Sequence, residues 1–93
     1  MWRACRDGDL DLVRILIREG QDINEQTQYL KNTPLHIAAR AGHFLIVKYL
    51  VEAGANGLIA NRDGLTPLEF TGDVRSETFD AIRGLLSKTQ QSA

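Results

Sequence analysis

One cysteine is all the chain has, and Cys5 therefore closes no internal disulfide. With no second cysteine and no histidine cluster beside it, a structural zinc site is excluded too, and a reducing compartment, cytoplasm or nucleus, is expected. No apolar run approaches the roughly 20 residues of a membrane-spanning helix, and the N-terminus carries neither the basic region nor the apolar core of a signal peptide. No membrane association is expected. An excess of one charge is missing as well: 11 Lys and Arg against 12 Asp and Glu give a formal net charge of −1, and aromatics make up 6%. Nucleic acid would need a basic stripe with stacking aromatics, so no nucleic-acid partner is expected. The ingredients of catalysis are equally scarce. No nucleophile, base and orienting group stand together and no carboxylate pair marks a cleft, so neither enzymatic activity nor a cofactor is expected. Asn61-Arg62-Asp63-Gly64 has a superficial likeness to a calcium loop, but the loop's first position would be Ile59 and its last Phe70, neither of which can ligate the ion.

What is present is 93 residues, 43% of them apolar, enough for one domain with a modest core. Both prolines fall in Thr-Pro-Leu, at residues 33–35 and again 33 residues later at 66–68. Thr33 is a good N-cap and Pro34 occupies the first helical position, where its missing N–H costs nothing. Leu35, Ile37, Ala38 and Ala39 give this helix a narrow apolar face, and Gly42 supplies the left-handed residue that ends it. A second helix carries Phe44, Ile46, Val47, Leu50 and Val51 at helical spacing, turns Lys48 and Glu52 outward, and stops at Gly54. Shifting this pair back by 34 residues sets Ala4 and Cys5 under Ala38 and Ala39, Gly8 under Gly42, and Leu10, Leu12, Val13, Leu16 and Ile17 under the apolar face of the second helix. The chain is an internal repeat.

Thr33-Pro34-Leu35-His36, Ala38-Ala39, Gly42-His43, Val47, Leu50 and Gly54-Ala55 together resemble the ankyrin repeat. The resemblance implies an all-α solenoid of about three helix-turn-helix units, near 1–28, 29–60 and 61–88, with atypical terminal caps and a polar tail over 89–93. The first unit lacks its Thr-Pro cap. In the third, Glu69 stands for the histidine, Phe70-Thr71-Gly72 for Ile-Ala-Ala, and Ser76 caps a last helix bearing Phe79, Ala81, Ile82, Leu85 and Leu86. Gly8-Asp9-Leu10-Asp11 and Asp63-Gly64-Leu65-Thr66 also resemble the two ends of a small stand-alone ankyrin protein. Helices are expected near 1–7, 11–19, 34–41, 44–53, 67–72 and 76–87, with no sheet beyond short pairing of the projecting fingers, and the chain is expected to be a monomer. Lys31 stands where the family has a positive-φ glycine, so the first finger should depart from the standard geometry.

The same resemblance implies a binding module, an adaptor or inhibitor whose partner is another protein held against the fingers and first helices. An ankyrin regulatory region of a larger enzyme or channel is the alternative. The exposed, variable positions are Tyr29, Leu30 and Asn32 on the first finger, Arg62, Asp63 and Leu65 on the second, and Arg6, Asp7, Arg40, Ala41 and Asp73 at the ends of the first helices. His36 is expected to hydrogen-bond neighbouring loop backbone, His43 to pack or cap, and Cys5 to be a buried, inert thiol. Trp2 is either a binding anchor or a cover for the end of the core. Asn24, eight residues after Leu16 and preceded by Asp22-Ile23, resembles the ankyrin sites that asparaginyl hydroxylases modify, though Asn in a finger also serves as plain turn chemistry.

Overall fold

Thr33 and Thr66 each begin a helix by the same reciprocal bonding. The Thr33 hydroxyl accepts from the His36 N–H, while the His36 ring accepts from the Thr33 N–H; Glu69 plays the histidine's part at Thr66. The computed structural model describes residues 1–72 and 76–89, and these form six helices: α1 (Trp2–Asp7), α2 (Leu10–Arg18), α3 (Pro34–Ala41), α4 (Phe44–Glu52), α5 (Pro67–Phe70) and α6 (Glu77–Thr89). No strand occurs among the described residues. Asp9 caps α2 by accepting from the Leu12 N–H at 3.0 Å, and Ser76 caps α6 by accepting from the Phe79 N–H at 3.1 Å.

The first helices pack side by side, α1 on α3 and α3 on α5, while α2, α4 and α6 form the second layer. Small residues let the first layer close. Ala4, Cys5, Ala38 and Ala39 are all buried, and Val13, Leu35, Ile46, Val47, Leu50, Ile82 and Leu86 continue the same core into the second layer. Gly8 and Gly42 end α1 and α3 with φ of 81° and 79°, as a helix stop of this kind requires.

Three expectations need correction. The α5 helix ends at Phe70 instead of residue 72, because Gly72 turns left-handed (φ 69°) and the Thr71 hydroxyl donates to the Leu68 carbonyl at 2.7 Å. The last helix runs to Thr89, one residue into the expected tail; residues 90–93 lie outside the described residues. Leu12, aligned with the buried Ile46, is 41% exposed against 2% for its counterpart. The two helices thus bury unlike amounts of the same apolar face: α4 buries Ile46, Val47 and Leu50, and α2 only Val13.

Candidate protein-binding surface

Each finger is held by its own backbone and then tied to the other. In the first, the Thr27 N–H donates to the Asn32 carbonyl at 2.8 Å, and Lys31 adopts φ 60°, the left-handed conformation of the glycine it replaces, so the departure expected of this finger does not occur at that residue. In the second, the Asn61 N–H donates to the Leu65 carbonyl and its side-chain oxygen accepts from the Asp63 and Leu65 N–H groups, each at 3.0 Å. The Arg62 N–H donates across to the Leu30 carbonyl at 2.9 Å, and the Gln26 side-chain amide donates to both Lys31 and Ala60 carbonyls.

This pairing brings Tyr29, Leu30 and Arg62 to one place. The Arg62 guanidinium lies 5.1 Å from the Tyr29 ring centroid, and Tyr29 is 75% exposed, with Leu30 exposed beside it. Asp63 is exposed on the second finger, and Leu65 is only half-covered side-chain surface. Asn32 is a correction: expected at the surface, it is 7% exposed, because its side-chain oxygen accepts from the Asn61 amide at 3.0 Å and the pair is enclosed between the fingers. Arg40 is exposed but not free to swing. It donates to the Phe70 carbonyl at 3.1 Å and its guanidinium stacks 5.2 Å from the Phe70 ring, which itself meets the His36 ring edge-on at 5.6 Å. Asp73 lies outside the described residues. Arg6 and Asp7 pair with one another at 3.2 Å.

The histidines are stitches between units. His36 accepts at Nδ1 from the Thr33 N–H, so its Nε2 carries the proton and donates to the Leu65 carbonyl at 2.7 Å. Burial pushes its pKa below the ordinary 6.5, with the Leu65 contact opposing. His43 stands at the start of α4 without capping it, and its Nε2 donates instead to the Arg6 carbonyl at 2.9 Å. Glu69, which accepts from the Thr66 N–H and hydroxyl, is held below the usual carboxylate range by those bonds. Cys5 is fully buried and desolvation pushes its thiol up to about 12, which leaves no thiolate for chemistry. Trp2 donates its indole N–H to the Glu25 carbonyl at 2.9 Å and is half-buried, fastening α1 to the first finger. Asn24 keeps negative φ; its N–H donates to the Asp22 carboxylate, and its side-chain oxygen accepts from the Asn56 N–H at 2.8 Å.

A second surface lies on the second helices, where the outward residues Arg14, Lys48 and Glu52 are the sequence's alternative to the fingers. Between α2 and α4 lie two adjoining hollows, of about 270 and 240 Å³, that share Leu10 and Leu45. The second is lined further by Arg14, Lys48, Tyr49 and Glu52, and Leu45 is 61% exposed. Apolar residues at the exposed positions of both helices were the available signal.

The family model for ankyrin repeats, in three copies, matches residues 1–92. The chain is 39% identical over 69 residues to palmitoyltransferase ZDHHC17 of Danio rerio, covering 74% of this chain and 11% of that protein. It is 44% identical over 62 residues to the potassium channel GORK of Arabidopsis thaliana, covering 67% and 7%. A putative ankyrin repeat protein of fowlpox virus, FPV031, is 35% identical over 83 residues, covering 89% and 24%. The chain thus spans between 7% and 24% of the length of these relatives.

Proposed function

This chain belongs to the ankyrin-repeat family, and from that premise we propose that it is an adaptor or inhibitor that holds a partner protein against its fingers and first helices. Ankyrin repeats are protein-interaction modules, and their fold is non-catalytic. The observation that carries the reading is the Tyr29–Leu30–Arg62 cluster. An aromatic ring exposed to this degree, braced by a guanidinium and set on hydrogen-bonded fingers, loses little further entropy on binding. Arg40 and Asp63 would form the polar rim. The acting compartment is the cytoplasm or nucleus, where the Cys5 thiol stays reduced.

The test is affinity capture from lysate with the chain and with its Tyr29→Ala, Arg62→Ala double variant. Loss of about 2 kcal/mol or more in partner affinity is expected, with the thermal melt unchanged. Equal affinity would move the contact off the fingers.

A second reading is favoured by the relatives themselves. The matched palmitoyltransferase and potassium channel are far longer than this chain, so the same surface would serve as a regulatory region of a larger enzyme or channel. Asn24 remains a substrate candidate for hydroxylation. Its side chain is engaged by Asn56, so the finger must open first, and mass spectrometry of well-covered peptides from oxygenated animal cells decides by the gain of one oxygen atom.

A further inference from the structure

The groove between α2 and α4 is separate from the finger cluster and is built differently. Leu10 on one bank and Leu45 and Tyr49 on the other provide apolar walls, and Arg14 and Lys48 stand on opposite banks. Neither cation has an ion pair among the described residues, where only Arg6–Asp7 and Arg83–Asp80 pair. Glu52 is the one carboxylate lining the hollows, so the lining carries a net positive charge.

We propose that this groove docks a short amphipathic helix of a partner protein, apolar at positions i and i+4 and acidic along its flanks. Each hollow is smaller than the roughly 300–1,000 Å³ of a small-molecule pocket, which suits one large side chain apiece. The two adjoin at Leu10 and Leu45, and side chains four apart on a helix stand about 5–6 Å from one another, so a single helical face reaches both. From Phe44 to Glu52 the bank is about 12 Å long, or about two turns.

The banks also decide the conformation of the guest. They are helices, whose backbone N–H and carbonyl groups are satisfied internally, so they offer no ladder to an extended strand. A guest laid in an apolar groove must satisfy its own backbone, which a helix does. Arg14 and Lys48 then select for carboxylates on its two flanks.

The experiment is an amide NMR titration of the whole chain with three synthetic helices of about 14 residues. One carries Leu at i and i+4 with Glu flanks, one has Lys in place of Glu, and one has Ser in place of Leu. The acidic apolar helix should bind alone, shifting the amides of Gly42, Leu45, Lys48 and Tyr49 and leaving Tyr29, Leu30 and Arg62 in place. Leu45→Glu and Lys48→Glu, both at exposed positions, should each weaken it about tenfold or more while the chain melts as before. Equal binding of the acidic and basic helices overturns the proposal, as does absence of binding at millimolar peptide or shifts confined to the fingers. Shifts at the same groove residues that grow with protein concentration alone would assign the groove to a second copy of the chain and overturn it too. Shifts at the groove or their absence leave the finger surface of the proposed function untested, so the two readings fail separately.

Discussion

The middle unit meets its two neighbours in unlike ways. Towards the third unit the joint is closed in both layers: His36 bonds Leu65, Arg40 clamps Phe70, the Phe79 ring lies 3.5 Å from where a Gly42 Cβ would stand, and Ile82 and Leu86 are buried. Towards the first unit the inner layer is equally tight, with Cys5 and Ala4 buried and His43 bonding Arg6, but the second layer gapes, and α2 buries only Val13. Repetition of sequence therefore does not mean repetition of the joint. An aliphatic residue is worth what its neighbour covers, so the same alignment column can be core in one unit and surface in another.

Core truncations give the largest contrast. Leu50→Ala and Leu86→Ala remove fully covered side chains and should each cost about 2–5 kcal/mol in urea melts, enough to threaten so small a stack. Leu12→Ala should stay within about 0.5 kcal/mol of the wild type. Parity between Leu12 and Leu86 would mean that α2 is covered after all.

A glycine pair isolates the inner stitch of the looser joint. Alanine at Gly8 or Gly20 pays about 1–2 kcal/mol for its left-handed backbone, at φ of 81° and 94°. Gly8→Ala should cost more, since its Cβ would stand 2.8 Å from the His43 ring, whereas nothing lies within 4 Å at Gly20. Adding His43→Ala should remove the excess; an unchanged difference would rule out the ring as its source.

The closed joint should also be the acid-sensitive one. The folded His36 ring holds a proton less readily than the unfolded one, so its contribution is complete above the ordinary pKa of 6.5 and is lost as pH falls through the depressed folded value. His36→Gln should flatten the slope of stability over that window, and an unaltered slope would place the proton uptake elsewhere. A small effect of opposite sign belongs to the first finger. Lys31→Gly relieves about 1–2 kcal/mol of left-handed strain and gives back about 0.4–1 to the unfolded chain, for a net gain of about 0.5–1 kcal/mol in chemical melts.

Much of the architecture was readable because each signal had a local cause. Thr33-Pro34 and Thr66-Pro67 start helices, Gly42 stops one and Ser76 caps another. The site was read less well. Tyr29, Leu30 and Arg62 are exposed as expected, but burial of Asn32 depends on Asn61, 29 residues away, and the hold on Arg40 depends on Phe70. The groove between α2 and α4 is lined by helices of two different units, and spacing within either one does not encode how they meet.

The burial of Cys5 turns this asymmetry into something measurable in time. A thiol at about 12 and without exposure reacts with an alkylating reagent only during excursions that lift α1 from α3. Where reclosing outruns alkylation, the labelling rate reports the equilibrium for opening that unit alone, and comparison with global unfolding tells how far the stack comes apart from one end before it comes apart entirely. The chain thus carries its own gauge of stepwise unzipping, one atom deep in the first repeat.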